Sequence, residues 1–209
     1  MPFWICMTGE LSADCLFFIL RLCYDERSLS GYMLPDSRKG VASGGDTMAK
    51  VIMTCGKICC GKTTYAKKLK NELNAVILSI DDITLTMFPE GAGEMHDTYA
   101  LRAEQYLLSL SLQVLQAGTD VILDWGLWTR AQRERIRAFY RDHGNIPNEI
   151  HYLRIGENEW ERRIRKRNEG QGRDPSAYYV DEGLLEKVES LFEEPATDET
   201  DLIVEENNP

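Results

Sequence analysis

"MTCGKICCGKTTYAKKL", residues Met53 to Leu69, carries the spacing that decides the fold. Gly56 and Gly61 bracket four variable residues, and Lys62, Thr63 and Thr64 follow. Gly56 to Thr63 therefore satisfies G-x-x-x-x-G-K-[ST] at every fixed position. The glycines let the backbone curl so that successive N–H groups converge on phosphate oxygens. A helix opening near Lys62 adds its positive dipole end. Lys62 is expected to reach the β- and γ-phosphates of ATP, and the Thr63 hydroxyl to complete the shell of a Mg²⁺ ion. The expected ATP contacts are Gly56, Lys57, Ile58, Cys59, Cys60, Gly61, Lys62, Thr63 and Thr64.

Flanking sequence separates this motif from a glycine-rich turn. "KVIMTC" before it is a short apolar run of buried-strand type. Thr63 to Leu73 after it is helical, with Ala66, Leu69 and Leu73 on one face. The interleaved cysteines invite a metal or redox reading. All six cysteines (Cys6, Cys15, Cys23, Cys55, Cys59, Cys60) lie in the first 60 residues, without the paired Cys/His spacing of a zinc finger. Adjacent Cys59 and Cys60 cannot bridge without strain. They are expected as loop residues, with redox sensitivity of a thiol near a helix N-terminus as a lesser hypothesis.

Outward from the motif, the chain alternates. "AVILSI" is a second apolar run, ending in Asp81-Asp82. Asp97 to Ala117 repeats apolar residues at three- and four-residue steps and is closed by Gly118. "TDVILD" is a third run, followed by a helix from about Thr129 to Asp142. "EIHYLRI" is a fourth, followed by a basic helix from Glu157 to Asn168. A helix around Leu184 to Phe192 and a last strand, "DLIV", complete the pattern. Alternation at this spacing implies right-handed crossovers and a mostly parallel sheet covered on both faces, an α/β fold. Ligands in such folds sit at the carboxyl ends of the strands.

Three groups of residues there carry chemistry. A phosphoryl acceptor needs a carboxylate to orient its hydroxyl and take the proton. Asp81 is expected as that base, and Asp82 as the cap of the segment after it and a substrate contact. Asp124 closes "VILD" in the manner of an aspartate that holds Mg²⁺ through water, or else binds the acceptor. Arg163 and Arg167 lie at i, i+4 in "WERRIRKRNEGQGR" and would stabilise the charge of the transferring group. Gly170 and Gly172 would hinge such a lid. Arg130 and Arg133 are further candidates for a substrate phosphate or its hydroxyls. Trp125 and Trp128 read as packing residues, and His96 receives no role.

The totals bound the partners. At 209 residues and 43% hydrophobic, the chain can bury one good core. A net charge of −10 argues against general affinity for nucleic acid or anionic membrane. The charge is uneven: Arg130 to Arg173 holds twelve of the 24 Lys and Arg residues, which suits a local anionic ligand. "CLFFILRLCY" is too short to span a bilayer and is broken by Arg21, and no basic residue precedes Arg21 as in a signal peptide. A soluble protein of the reducing cytoplasm is expected. Residues 1–47 are expected to be an upstream extension, poorly ordered or artefactual. Their rival reading is an N-terminal helix that packs on the domain or a partner. Residues 48–209 form the expected domain.

Taken together, "GKICCGKTT", "SIDD", "GTDVILDWGLWTRAQR", "RIRKRN" and "SLFEEPATDE" resemble the small P-loop kinases grouped with zeta toxins, chloramphenicol phosphotransferase and the kinase domain of phage polynucleotide kinase. The resemblance covers Met48 to about Glu206. It implies a P-loop NTPase sandwich with a five-stranded parallel sheet in the order 2-3-1-4-5 and a helical lid. It also implies Asp81 as base, and Arg163 and Arg167 as lid arginines. The function expected is transfer of the γ-phosphoryl of ATP, with Mg²⁺, to a hydroxyl of a small molecule. Rival expectations are a polynucleotide 5′-hydroxyl kinase and a non-catalytic ATP-binding switch. Residues 84–98 and 125–133 would set the acceptor.

Overall fold

The computed structural model describes residues 48–169 and 179–205. Five parallel strands form one sheet: β1 (Val51–Cys55), β2 (Val76–Leu78), β3 (Val121–Leu123), β4 (Asn148–Arg154) and β5 (Leu202–Glu205). Their order across the sheet is β2-β3-β1-β4-β5. The six helices described are α1 (Lys62–Leu73), α2 (Ile80–Met87), α3 (His96–Gln116), α4 (Arg130–Asp142), α5 (Glu157–Glu169) and α6 (Glu182–Leu191). A 3₁₀ turn at Gly93–Met95 leads into α3. This is the P-loop three-layer sandwich that the resemblance implies.

β1 lies between β3 and β4, with Met53 opposite Leu123 and Cys55 opposite Tyr152. All five β1 residues are buried, as a strand covered on both faces requires. Strand alternation sorts them between two cores. Val51, Met53 and Cys55 join Leu107, Leu112 and Leu115 of α3 and Ile136 and Tyr140 of α4. Ile52 joins Ile122 and Ala66 of α1 on the opposite face. The Cys55 thiol is pushed up to about 11 by burial, which keeps it protonated. A third cluster, Trp160, Ile164, Val180 and Val188, carries α5 and α6 against Ile58, Cys59 and Trp128.

Helix ends follow local chemistry. Gly118 (φ 80°) ends α3, donating its N–H to Leu115 O. α4 opens with a capping box between Thr129 and Gln132. One boundary differs from expectation. Asp82 does not cap its helix: the N-cap of α2 is Ser79, whose hydroxyl accepts from the Asp82 N–H, and Asp81 and Asp82 stand in the first turn. There they favour the positive dipole end, and their side chains are exposed.

Asn168 at the end of α5 uses its amide both ways, donating to Val180 O at 2.8 Å and accepting from Val180 N–H at 3.1 Å. The expected hinge glycines 170 and 172, like residues 1–47, lie outside the described residues. No helix among the described residues is long and apolar enough to cross a membrane.

Candidate active site

The loop Gly56–Gly61 leaves β1 and returns into α1. Gly56 has φ 149° and donates its N–H to Gly126 O. A Cβ there would stand 2.7 Å from Cys60 Sγ and 2.8 Å from Leu153 O, so no side chain fits. Gly61, the N-cap of α1, has φ 102°, a left-handed value suited to glycine. Lys62 Nζ turns back over the curl, 3.1 Å from Gly56 O and 2.6 Å from Lys57 O. Cys60 is buried with its sulfur 3.8 Å from Lys62 Nζ, whereas Cys59 is half-buried at φ 57°. Thr63 and Thr64 are exposed on the first turn of α1.

Asp124 follows β3 immediately and is 8% exposed. Burial raises its pKa, while hydrogen bonding from the Thr63 hydroxyl and the charge of Lys62 oppose that shift. Thr54 on β1 fixes the peptide after it, donating to Trp125 O at 2.9 Å and accepting from Trp125 N–H at 3.1 Å. The Thr63 hydroxyl and the Asp124 carboxylate are hard oxygen donors, the kind that suits Mg²⁺. No group of three or more His, Cys, Asp or Glu residues is set to hold a metal among the described residues.

Asp81, in the first turn of α2, is near enough to Lys62 and Asp124 to feel the charge of both. Its side chain is exposed, yet protein surrounds it on enough sides that desolvation raises its pKa. Lys62, Arg167 and His96 pull the value down, and Asp124 adds to the rise. These effects place Asp81 within electrostatic range of Lys62, Asp124, His96 and Arg167 of α5. Asp82 lies within electrostatic range of Asp124.

α5 is fastened to the loop itself. Trp160 Nε1 donates to Ile58 O at 2.8 Å, Arg163 Nη1 to Cys60 O at 3.3 Å, and Arg167 Nη1 to Cys59 Sγ at 3.4 Å. Lys57 Nζ sits 4.1 Å from the centroid of a Trp160 ring, a cation–π contact. Arg163 also pairs with Glu159 at 2.7 Å. Sequence reading passed over Trp160, although it shares the i, i+3, i+7 face of Arg163 and Arg167. It also passed over Thr54 and Ser79, and gave no role to His96, whose charge acts on Asp81.

The structure overturns one substrate residue outright. Arg133 is 1% exposed and belongs to the interior. Its Nε pairs with Glu199 at 2.8 Å, and its Nη1 donates to the carbonyls of Leu127, Trp128 and Glu193. Those bonds hold the 125–129 loop to the segment after α6. Arg130 is exposed and surrounded by acids: Glu134 at 2.9 Å, Glu199 at 3.6 Å and Asp198 at 3.8 Å. Its charge is matched at the surface by these carboxylates. Trp125 and Trp128 pack, in the main core and against the lid cluster respectively.

A family model described as an AAA domain matches residues 51–195. The chain belongs to this AAA domain family. Among solved structures, this member is similar to an unliganded sugar kinase from Janibacter sp., with 17% identity, 77% of this chain and 87% of that chain covered, and a TM-score of 0.56. It is similar to the Mycobacterium tuberculosis APS kinase CysC in complex with AMPPNP and APS, at 17% identity, 78% and 91% coverage and a TM-score of 0.56. It is also similar to a chain of the Pnkp1/Rnl/Hen1 RNA repair complex, at 21% identity, 72% and 46% coverage and a TM-score of 0.56. At these identities the likeness is one of fold: an AAA domain with the P-loop kinase architecture. No curated protein matches the sequence significantly.

Proposed function

We propose that this AAA domain protein is an ATP-dependent phosphotransferase that phosphorylates a hydroxyl of a small molecule. The observation that carries the reading is Asp81, an exposed carboxylate in the electrostatic neighbourhood of Lys62, Asp124 and Arg167. ATP binding alone needs the loop, Lys62 and Thr63. A carboxylate in the cleft beside them is what an acceptor hydroxyl requires.

The loop residues Gly56 to Thr64 would bind the phosphates, with Lys62 leaving its carbonyls to meet them. Thr63 and Asp124 would hold Mg²⁺, which supplies neutralisation of charge on the β- and γ-oxygens. The acceptor oxygen attacks the γ-phosphorus and the bond from phosphorus to the β–γ bridging oxygen breaks. ADP leaves, and the hydroxyl proton passes to Asp81. Arg163 and Arg167 stand at the loop from the lid side and stabilise the charge spread over the transferring group. The raised pKa of Asp81 makes it a better proton acceptor than an ordinary aspartate, at the cost of a protonated fraction in mild acid.

The neighbouring APS kinase, a complex with AMPPNP and APS, supports this reading through its shared fold. The test is incubation with MgATP and a metabolite extract, with mass spectrometry for new phosphorylated products. Asp81→Asn is expected to abolish their formation while retaining ATP binding. Transfer undiminished in Asp81→Asn would overturn the base assignment. Slow ATP hydrolysis with no product from any acceptor would favour a switch.

A further inference from the structure

Three successive residues of the phosphate loop are held from outside by one face of α5. Trp160 Nε1 donates to Ile58 O, Arg167 Nη1 to Cys59 Sγ and Arg163 Nη1 to Cys60 O. Trp160 is 2% exposed and grips the loop a second way, through the Lys57 ammonium over its ring. The conformation held there is a strained one. Cys59 has φ 57°, a left-handed value unfavourable to any residue with a Cβ. Such a residue persists only where its surroundings over-determine it.

The bonds fall on particular peptide units. A peptide is planar and trans, so its C=O and N–H point in opposite directions. The units whose carbonyls α5 takes are Ile58–Cys59 and Cys60–Gly61. Their N–H groups, on Cys59 and Gly61, are therefore turned away from α5. Neither has a hydrogen-bond partner among the described residues. Unpaired N–H groups on two left-handed residues, Cys59 at φ 57° and Gly61 at φ 102°, are the makings of an anion-binding concavity. Gly56 O and Lys57 O, which α5 leaves alone, meet Lys62 Nζ instead.

We propose that Trp160 is a positioning residue for nucleotide binding. Its indole N–H splints the loop from behind and keeps the Cys59 N–H turned toward the phosphates before they arrive. The inference rests on the nucleotide-binding reading of the loop and adds to it a residue that acts only through the backbone. Donors set in advance cost little ordering when the ligand binds. Removing the splint therefore weakens binding of the phosphate chain.

The test is Trp160→Phe in the full-length protein, which keeps an aromatic ring against Ile164, Val180 and Val188 and removes the N–H. Calorimetry uses two probes, MgAMPPNP and inorganic tripolyphosphate, the second of which offers the loop a phosphate chain alone. Both affinities are expected to fall by about tenfold, the worth of one hydrogen bond. Cys59→Gly separates positioning from packing, because glycine adopts φ 57° without penalty. In that background Trp160→Phe is expected to cost about threefold or less in AMPPNP affinity. A full tenfold loss there, or unchanged AMPPNP affinity in folded Trp160→Phe, overturns the proposal. Should that variant not fold, NMR of the parent protein decides. The Trp160 indole N–H is expected to stay protected from exchange with and without AMPPNP, and its release on binding overturns the proposal. A parent protein that binds no AMPPNP sinks the nucleotide reading as well, whereas one that binds it regardless of Trp160 sinks this inference alone.

Discussion

Lys62 Nζ stands 2.6 Å from the carbonyl oxygen of Lys57, held inside the curl of its own loop. With Gly56 O at 3.1 Å, the ammonium occupies the concavity through which a phosphate chain would enter. Nucleotide binding must exchange these two carbonyls for phosphate oxygens, a stronger charge-assisted pairing. Lys62→Ala is expected to lower kcat/KM by at least about a hundredfold. Steady-state kinetics and nucleotide calorimetry on the same preparation check this.

The pH dependence follows from Asp81, whose pKa is raised first by desolvation. The base works ionised, so the acid limb of the kcat/KM profile is expected above the ordinary aspartate range. The same shift has a stability sign. The folded state disfavours the charged form, so the penalty is absent below the unfolded pKa and fully present above the raised folded value. Asp81→Asn should therefore melt at a higher temperature than the parent near neutrality, and the gap should close in acid. Melting curves across pH check this separately from activity.

Gly56 has no room for a side chain. In Gly56→Ala the new methyl would press on Cys60 Sγ and on the backbone of β4 at Leu153 O, at a φ of 149°. The sulfur can turn aside, but the carbonyl is part of the sheet. A cost of about 1–3 kcal/mol is expected, together with loss of nucleotide affinity because the curl opens. Denaturant unfolding and calorimetry read the two effects.

Arg133 and Arg130 are expected to part company. Arg133→Ala removes the ion partner of a nearly buried Glu199 and the donor to three carbonyls. A loss of about 3–5 kcal/mol follows, as when one member of a buried pair is deleted. Arg130→Ala, at the surface, should leave unfolding midpoint and acceptor KM close to those of the parent. Parallel urea titrations of the two variants make the comparison.

The loop, its strand and its helix were legible because everything that defines them lies within about twenty residues, and the glycine spacing admits few other backbones. Asp81 and Asp124 were legible as acids ending apolar runs. The strand order came through resemblance rather than periodicity, since alternation of strands and helices leaves several orders open. What escaped depended on distant partners. Arg130 and Arg133 are alike in a sequence; only Glu199, sixty-six residues beyond Arg133, separates a buried structural ion from a surface one. Ser79 was hidden by the two stronger acids after it. His96 gains its electrostatic hold on Asp81 only once α2 and α3 are packed together. Trp160 was legible in principle, from its spacing to Arg163 and Arg167.

The two-way amide bond of Asn168 with the Val180 backbone closes the chain at the base of the segment between them. Two stretches of chain are thereby stapled as one: α5, whose Trp160 holds the phosphate loop, and the residue that leads into α6. A single substitution, Asn168→Ala, would draw both prongs of that staple at once.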